Sequence, residues 1–153
     1  MAIDKVKAYF KQFGMENRIL EFDSSSATVE LAAAAIGCEP ARIAKTLSFA
    51  SGDGCILIVT SGDRKIDNAK FKEQFGFKAK MLHPEDVERL TGHQIGGVCP
   101  FACDLKVQTF TDISLFRFET VFPAAGSSNS AIELSCEELY RYARSQGWID
   151  VCK

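Results

Sequence analysis

Three short stretches of the chain carry residue types that could do chemistry. In residues 41–47 (A-R-I-A-K-T-L), Lys45 stands where a helical turn would feed a strand. An ammonium there can offer a compact point charge to an anionic or ester oxygen. A lone lysine more commonly snorkels to the surface. Residues 92–101 (G-H-Q-I-G-G-V-C-P-F) hold the pair Gly96-Gly97, which lets a backbone come close to a ligand, and Pro100, which stiffens the loop. The bland reading is a tight connection with no ligand. Residues 125–134 (A-G-S-S-N-S-A-I-E-L) form a small polar loop entering a strand, by itself only a turn.

Other chemistries are poorly supplied. Cys99 and Cys103 have a C-x3-C spacing, but a closed zinc site needs two more ligands, and only His83 and His93 are at hand. We therefore expect no metal. Cys99 with His93 could form a nucleophile–base pair, although a packed thiol explains the same residues. There is no G-x-G-x-x-G, no G-x-x-x-x-G-K-[ST] and no G-x-S-x-G, which argues against nucleotide-triphosphate chemistry and a serine-elbow hydrolase.

The bulk properties are those of an ordinary globular protein: 153 residues, 46% hydrophobic and 25% charged. A chain of this length buries roughly 70% of the surface it exposes when unfolded, and a single domain over residues 1–153 is expected. Apolar runs such as C-I-L-I-V are strand-sized and far short of a bilayer span. The first residues, M-A-I-D-K-V-K-A-Y-F, are charged throughout and lack a leader's apolar core. A cytoplasmic location, no membrane partner and six reduced cysteines are the expectation. A net charge of −2 argues against coating of long nucleic acid by bulk charge, but not against a grip on one end of it. The run from Arg64 to Lys80 holds six basic side chains against Asp67 and Glu73. It reads as a solvated helix face or as a phosphate-contacting patch through Lys65, Lys70 and Lys72.

The elements that must position these residues follow from periodicity and punctuation. Ile3, Val6, Phe10 and Phe13 predict a helix stopped by Gly14. Residues 18–22 predict a strand. Thr28 caps a second helix that ends before Gly37. Pro40 opens one helical turn. Residues 46–50 and 55–60 predict a hairpin about Ser51-Gly52-Asp53-Gly54. Asp67 caps a helix with Phe71 and Phe75 on one face, ending at Gly76. Residues 78–82 predict a strand, and Pro84 a short helix stopping near Gly92. Residues 92–105 read as a structured loop. Residues 107–111, 117–122 and 131–135 predict strands. A capping box of Ser135 and Glu138 starts the last helix, with Leu139, Tyr142 and Ala143 inward and Gly147 as its stop. Helices among some seven strands imply a mixed α/β sheet.

Taken in order, Lys45-Thr46-Leu47, then Gly96-Gly97-Val98-Cys99-Pro100, then Gly126 through Leu134 resemble the YbaK and prolyl-tRNA-synthetase-associated editing family. That family carries a K-T-L or K-N-L lysine, a G-x-x-x-P loop and a late glycine/serine loop before an I-E-L-type strand. The similarity runs from about residue 23 to 148. It implies an α/β fold with a mixed, partly closed β-sheet surrounded by helices, and an aminoacyl-tRNA deacylase acting in trans on the tRNA acceptor end without a cofactor. It further implies Lys45, Gly96 and Gly97 as the catalytic set, with Thr46, Val98, Pro100, Gly126, Ser127, Ser128 and Ser130 at the substrate. The serines could instead simply cap their loop. Thr46 looks closer to the Cys-tRNA branch than to the asparagine-bearing relatives that favour alanine. This points to Cys-tRNA(Pro), with Ala or another small amino acid second. Choice of tRNA would come from the acceptor stem or from a partner such as prolyl-tRNA synthetase. The alternative is a binding module of the same fold that holds a tRNA end or aminoacyl ligand without turnover. If the three segments act together, Lys45, Gly96, Gly97 and Gly126 should line one cleft.

Overall fold

The computed structural model describes residues 2–153. Its centre is the hairpin of β2 (Ile43–Ser51) and β3 (Gly54–Ser61), paired antiparallel along their whole length. Gly52 takes the positive φ (57°) that the tight turn needs. Strand β3 is buried from Cys55 to Ser61, as expected for a central strand covered on both faces. Outward from it run β4 (Gln108–Asp112) and β8 (Ser145–Ile149), both parallel. On the other side β5 (Thr120–Pro123) pairs parallel with β2, and β7 (Leu134–Ser135) antiparallel with β5. The curled six-stranded order is β7-β5-β2-β3-β4-β8, and β1 (Ile19–Glu21) with β6 (Ser130–Ile132) forms a separate antiparallel pair.

Five helices pack about this sheet: α1 (Ala2–Lys11), α2 (Val29–Ile36), α3 (Asn68–Phe75), α4 (Pro84–Thr91) and α5 (Cys136–Tyr142). Their ends follow the sequence signals. The Thr28 hydroxyl accepts from the Leu31 amide, and Gly37 is left-handed at the far end of α2. Asp67 accepts from the Ala69 and Lys70 amides. Both halves of the Ser135–Glu138 capping box are made. On one side of the sheet Val6 and Phe10 of α1, fully buried, pack with Ala44, Val59, Phe101, Leu115 and Leu139. Burying each such large side chain contributes about 1.5–3 kcal/mol. On the other side Phe49, Ile56 and Ile58 meet Phe71 of α3 and Val151. Among the described residues no helix is long and apolar enough to cross a membrane.

Four local expectations need correction. Residues 78–82 make one bridge, Phe49 with Met81, rather than a strand, because Pro84 turns the chain into α4 directly afterwards. The strand expected over 131–135 is broken at Glu133, so that Ile132 pairs with β1 and Leu134 with β5. Of residues 117–122, Arg117 closes a 3-10 turn (Ile113–Arg117) and only Thr120 onward is strand. The last helix stops at Tyr142 and not at Gly147. Arg144 takes a left-handed φ of 53°, and the following residues become β8, which covers the open edge of β4. Trp148 on that strand stacks on Tyr140 and meets the Phe116 ring at a tilt.

Candidate active site

The outer edge of β2 pairs with β5 at Ile43 and Ala44, and again with residues 80–82 near Phe49. The second contact is made by Leu82 N–H donating to the Ser48 carbonyl (3.1 Å) and Ala50 N–H to that of Lys80 (2.8 Å). Between the two, at residues 45–47, β5 and residues 80–82 have parted. A cavity of about 430 Å³ opens there, walled by α2, the start of α4, Ile95, Gly96 and Val98, and β6. Alternation sends Thr46 to the face of Ala44 and Ser48, and Lys45 to that of Ile43 and Leu47. Both line the cavity because it opens at the parted edge of the sheet.

The lining is mainly apolar, with Val29, Ile43, Val87, Val98 and Phe122 prominent. Its polar members include Ser26, Lys45, Thr46 and Ser130, and among the described lining residues there is no Asp, Glu, His or Cys. The Ser26 and Thr46 hydroxyl oxygens are buried without a hydrogen-bond partner in the protein. Such groups are costly unless something meets them. Lys45 is half-buried and its Nζ donates to the Arg64 carbonyl. Burial pushes its pKa below the ordinary lysine value, while Asp63 and Glu30 nearby favour the ammonium and Lys65 opposes it.

The glycine loop is built on α4. Gly92 ends the helix at φ 81°, and the Thr91 hydroxyl donates to the Val87 carbonyl (2.6 Å) while accepting from the His93 amide (3.1 Å). The His93 ring closes the other end of the loop through Nε2 to the Phe101 carbonyl (2.8 Å). Gly96, at φ 91°, reaches the cavity and lies against Ala27 and Ser128; a Cβ there would meet theirs at 3.3 and 3.6 Å. The serine loop is tied to residues 22–26. Ser26 N–H donates to Ser128 O (2.6 Å), Phe22 N–H to Asn129 O (2.8 Å), and the Asn129 amide to Phe22 O (3.0 Å). Ser127 Oγ donates within the loop, 2.7 Å from Ser130 Oγ.

Lys45, Thr46, Gly96, Val98 and Ser130 thus share one cavity, and the remaining sequence candidates stand behind it. Gly97 is buried against the Ser127 backbone, where a Cβ would come within 2.8 Å of its carbonyl carbon. Gly126, at φ 97°, is pressed on α1, where a Cβ would sit 2.8 Å from Val6 Cγ2 and 3.0 Å from Ala2 O. The expectation that both glycines line the cleft is corrected: they let the segments pack closely. Pro100 is buried and borders a different cavity with Tyr9 and Arg144. Ser127 caps its loop and Ser128 is exposed. The sequence reading missed Ser26 and the apolar lips Met81 (52% exposed) and Ile95 (62%), which no local motif marks.

The basic run is also less uniform than its composition. Lys70 is engaged by Asp150 (3.1 Å) and the Cys152 carbonyl (2.9 Å), whereas Lys65 lies close enough to Lys45 to oppose its charge. Among the described residues no group of three or more His, Cys, Asp or Glu could hold a metal ion. Cys99 lies 3.5 Å from His93 Nε2, but both are fully buried and burial drives the thiol pKa far upward. That ring nitrogen faces the Phe101 carbonyl, which can only accept, so it carries the proton and is no base for the thiol.

An apolar chamber with one ammonium, two unmet hydroxyls and a glycine at its wall suits a small uncharged group attached to something polar or anionic. The chain is similar to several known proteins. YwhH of Bacillus subtilis (strain 168), described as uncharacterized, is 54% identical over the whole of this chain and 98% of its own length. EbsC of Enterococcus faecalis, assigned as a Cys-tRNA(Pro)/Cys-tRNA(Cys) deacylase, is 28% identical over 78% of this chain and 74% of its own. The crystal structure of a protein assigned as a trans-editing enzyme for prolyl tRNA synthetase superposes with a TM-score of 0.88 at 27% identity, covering 99% of this chain and 97% of that one. The aminoacyl-tRNA editing domain matches residues 23–142, so the chain belongs to the aminoacyl-tRNA editing domain family.

Proposed function

We propose that this protein hydrolyses, in trans, the ester linking a wrong amino acid to the 3′ end of tRNA, with Cys-tRNA(Pro) as first substrate and Ala or another small amino acid second. The observation that carries the reading is that Lys45 and Gly96, distant in sequence, border the same small, mostly apolar cavity. An aminoacyl ester is already activated, so hydrolysis needs placement and charge stabilisation more than a strong base. Water adds to the ester carbonyl carbon, the bond to the ribose oxygen breaks, and the departing oxygen takes the proton that the water loses. Lys45 offsets the charge that gathers on the ester oxygen or the adjacent phosphate, and the Gly96 backbone lets ribose and water approach. With no Asp, Glu, His or Cys among the described lining residues and Lys45 serving as the charge, the proton passes through the substrate's own ribose hydroxyl or thiol.

The unmet hydroxyls of Ser26 and Thr46 support a side chain that can hydrogen-bond, and so favour Cys over Ala. EbsC and the trans-editing enzyme support the tRNA(Pro) pairing and prolyl-tRNA synthetase as the partner that presents it. The test is single-turnover deacylation of a panel of mischarged tRNAs, where Cys-tRNA(Pro) should be cleared fastest. Tight binding of tRNA ends without turnover of any ester would make the protein a binding module instead.

A further inference from the structure

The Lys45 ammonium rests on a turn that lies outside the cavity. Ser61-Gly62-Asp63-Arg64 leaves the end of β3 and reverses, with Arg64 N–H donating to the Ser61 carbonyl (3.1 Å). Gly62 is pressed so closely on the neighbouring elements that a Cβ would lie 2.2 Å from Pro40 O and 2.8 Å from Val29 Cγ1. The Ser61 hydroxyl donates to the Ala41 carbonyl, just ahead of β2. From 54 residues away in sequence, Arg117 closes over the turn. Its Nη1 donates to Asp63 Oδ2 (3.0 Å), and its Nη2 to Asp63 Oδ1 (2.6 Å) and to Ser61 Oγ (2.8 Å). Its Nε holds the Ser114 carbonyl (3.0 Å), and Ser114 Oγ accepts from Ser61 N–H (3.1 Å). Together these contacts fix the Arg64 carbonyl, and that carbonyl accepts from Lys45 Nζ.

We propose that Arg117 and Asp63 are positioning residues for Lys45, acting through the Ser61–Arg64 turn. Neither borders the cavity, so neither meets substrate directly. Both side chains are more than a third exposed, and an ion pair so placed adds little to stability. A bidentate pair does, however, impose a planar geometry that a single contact cannot. A four-carbon lysine stem has many rotamers, and its charge is effective only when held in one of them. The fixed carbonyl selects that rotamer, and the Asp63 carboxylate behind it favours the charged form of the amine against the effect of burial.

The proposal rests on the deacylase reading, so its test has an arm that does not. In single-turnover deacylation, Arg117→Ala should lower the rate about tenfold or more with substrate affinity nearly unchanged. The same substitution added to Lys45→Ala should cost nothing further. An equal loss in both backgrounds would show a general structural effect and sink the idea. The second arm is acetylation of lysines by acetic anhydride, followed by peptide mass spectrometry. Lys45 should label several-fold faster in Arg117→Ala than in wild type, while Lys11 on α1 stays constant; an unchanged Lys45 rate also overturns the proposal. A wild type that deacylates nothing would defeat the proposed function and leave the labelling to decide the positioning. Should Arg117→Ala lose its circular dichroism signal, Asp63→Asn replaces it in both arms.

Discussion

Two regions of the molecule hold residues that could be called reactive, and they differ in access. Cys99 and His93 form the pair that looks more like a catalytic dyad, with sulfur and nitrogen 3.5 Å apart. Both are fully buried in the loop that α4 supports, and desolvation keeps the thiol protonated far above neutral pH. Lys45 has no such partner, yet it is half-buried beside an open cavity with its ammonium donating to the Arg64 carbonyl. Proximity of a nucleophile to a base is thus a weak guide by itself. A working group also needs access to substrate and surroundings that tolerate its charged form.

The sharpest way to break this contrast is Lys45→Ala. Loss of a charge-assisted hydrogen bond of roughly 1.5–3 kcal/mol should slow deacylation about ten- to hundredfold, with the circular dichroism spectrum retained. Lys45→Arg should rescue poorly, because a planar fork occupies the space differently from a compact ammonium. A folded Lys45→Ala protein with the wild-type rate would remove the main charge from the mechanism.

Gly97→Ala tests the loop that both regions share. Its new Cβ would collide with the Ser127 backbone, which cannot swing aside like a side chain. The shift should displace Gly96, slow deacylation by about tenfold, and lower stability by roughly 1–3 kcal/mol in denaturant titration. Full activity would show that the Gly96 wall need not be held in place.

Cys99→Ala sharpens the comparison from the other side. Activity should be unchanged, while loss of one buried sulfur costs about 1 kcal/mol of stability. A rate loss in a folded Cys99→Ala variant would restore the dyad. The smallest expected effect concerns acid. The Arg18 guanidinium, with help from the Ser135 amide, holds Glu138 at a pKa of about 2, well below the ordinary glutamate value of 4.5. A carboxyl whose folded pKa is depressed adds stability above its unfolded pKa and loses it as pH falls toward the folded one. Glu138→Gln should therefore weaken the protein near neutral pH and flatten its stability profile between about pH 4.5 and 2. Parallel profiles for the two proteins would mean that the pair contributes nothing.

Much of the fold was legible where the signal is local. The Thr28, Asp67 and Ser135 caps, the Gly37, Gly76 and Gly92 stops and the central hairpin all depend on a few consecutive residues and were realised. Residues 145–149 were missed because nothing in Ser-Gln-Gly-Trp-Ile announces a strand; the exposed edge of β4 does. The candidate site divides the same way. Lys45, Thr46 and Gly96 carried their own signal through type and context, and all three border the cavity. Ser26 looked like one of three equivalent linker serines. It differs from Ser24 and Ser25 only because its amide is fastened to Ser128, which turns its hydroxyl inward.

By itself, then, the sequence determined which residue types were available and where the backbone had to turn, since propensities, caps and left-handed glycines act within a few residues. Only the tertiary structure decided that Gly97 and Gly126 are packed against neighbouring segments, that Cys99 is buried away from the cavity, and that Arg117 reaches the Ser61–Arg64 turn on which Lys45, 72 residues away, rests. Those outcomes depend on which side chains exclude water from one another and which carbonyl lies within reach of which donor. Both are set by packing between segments distant in the chain.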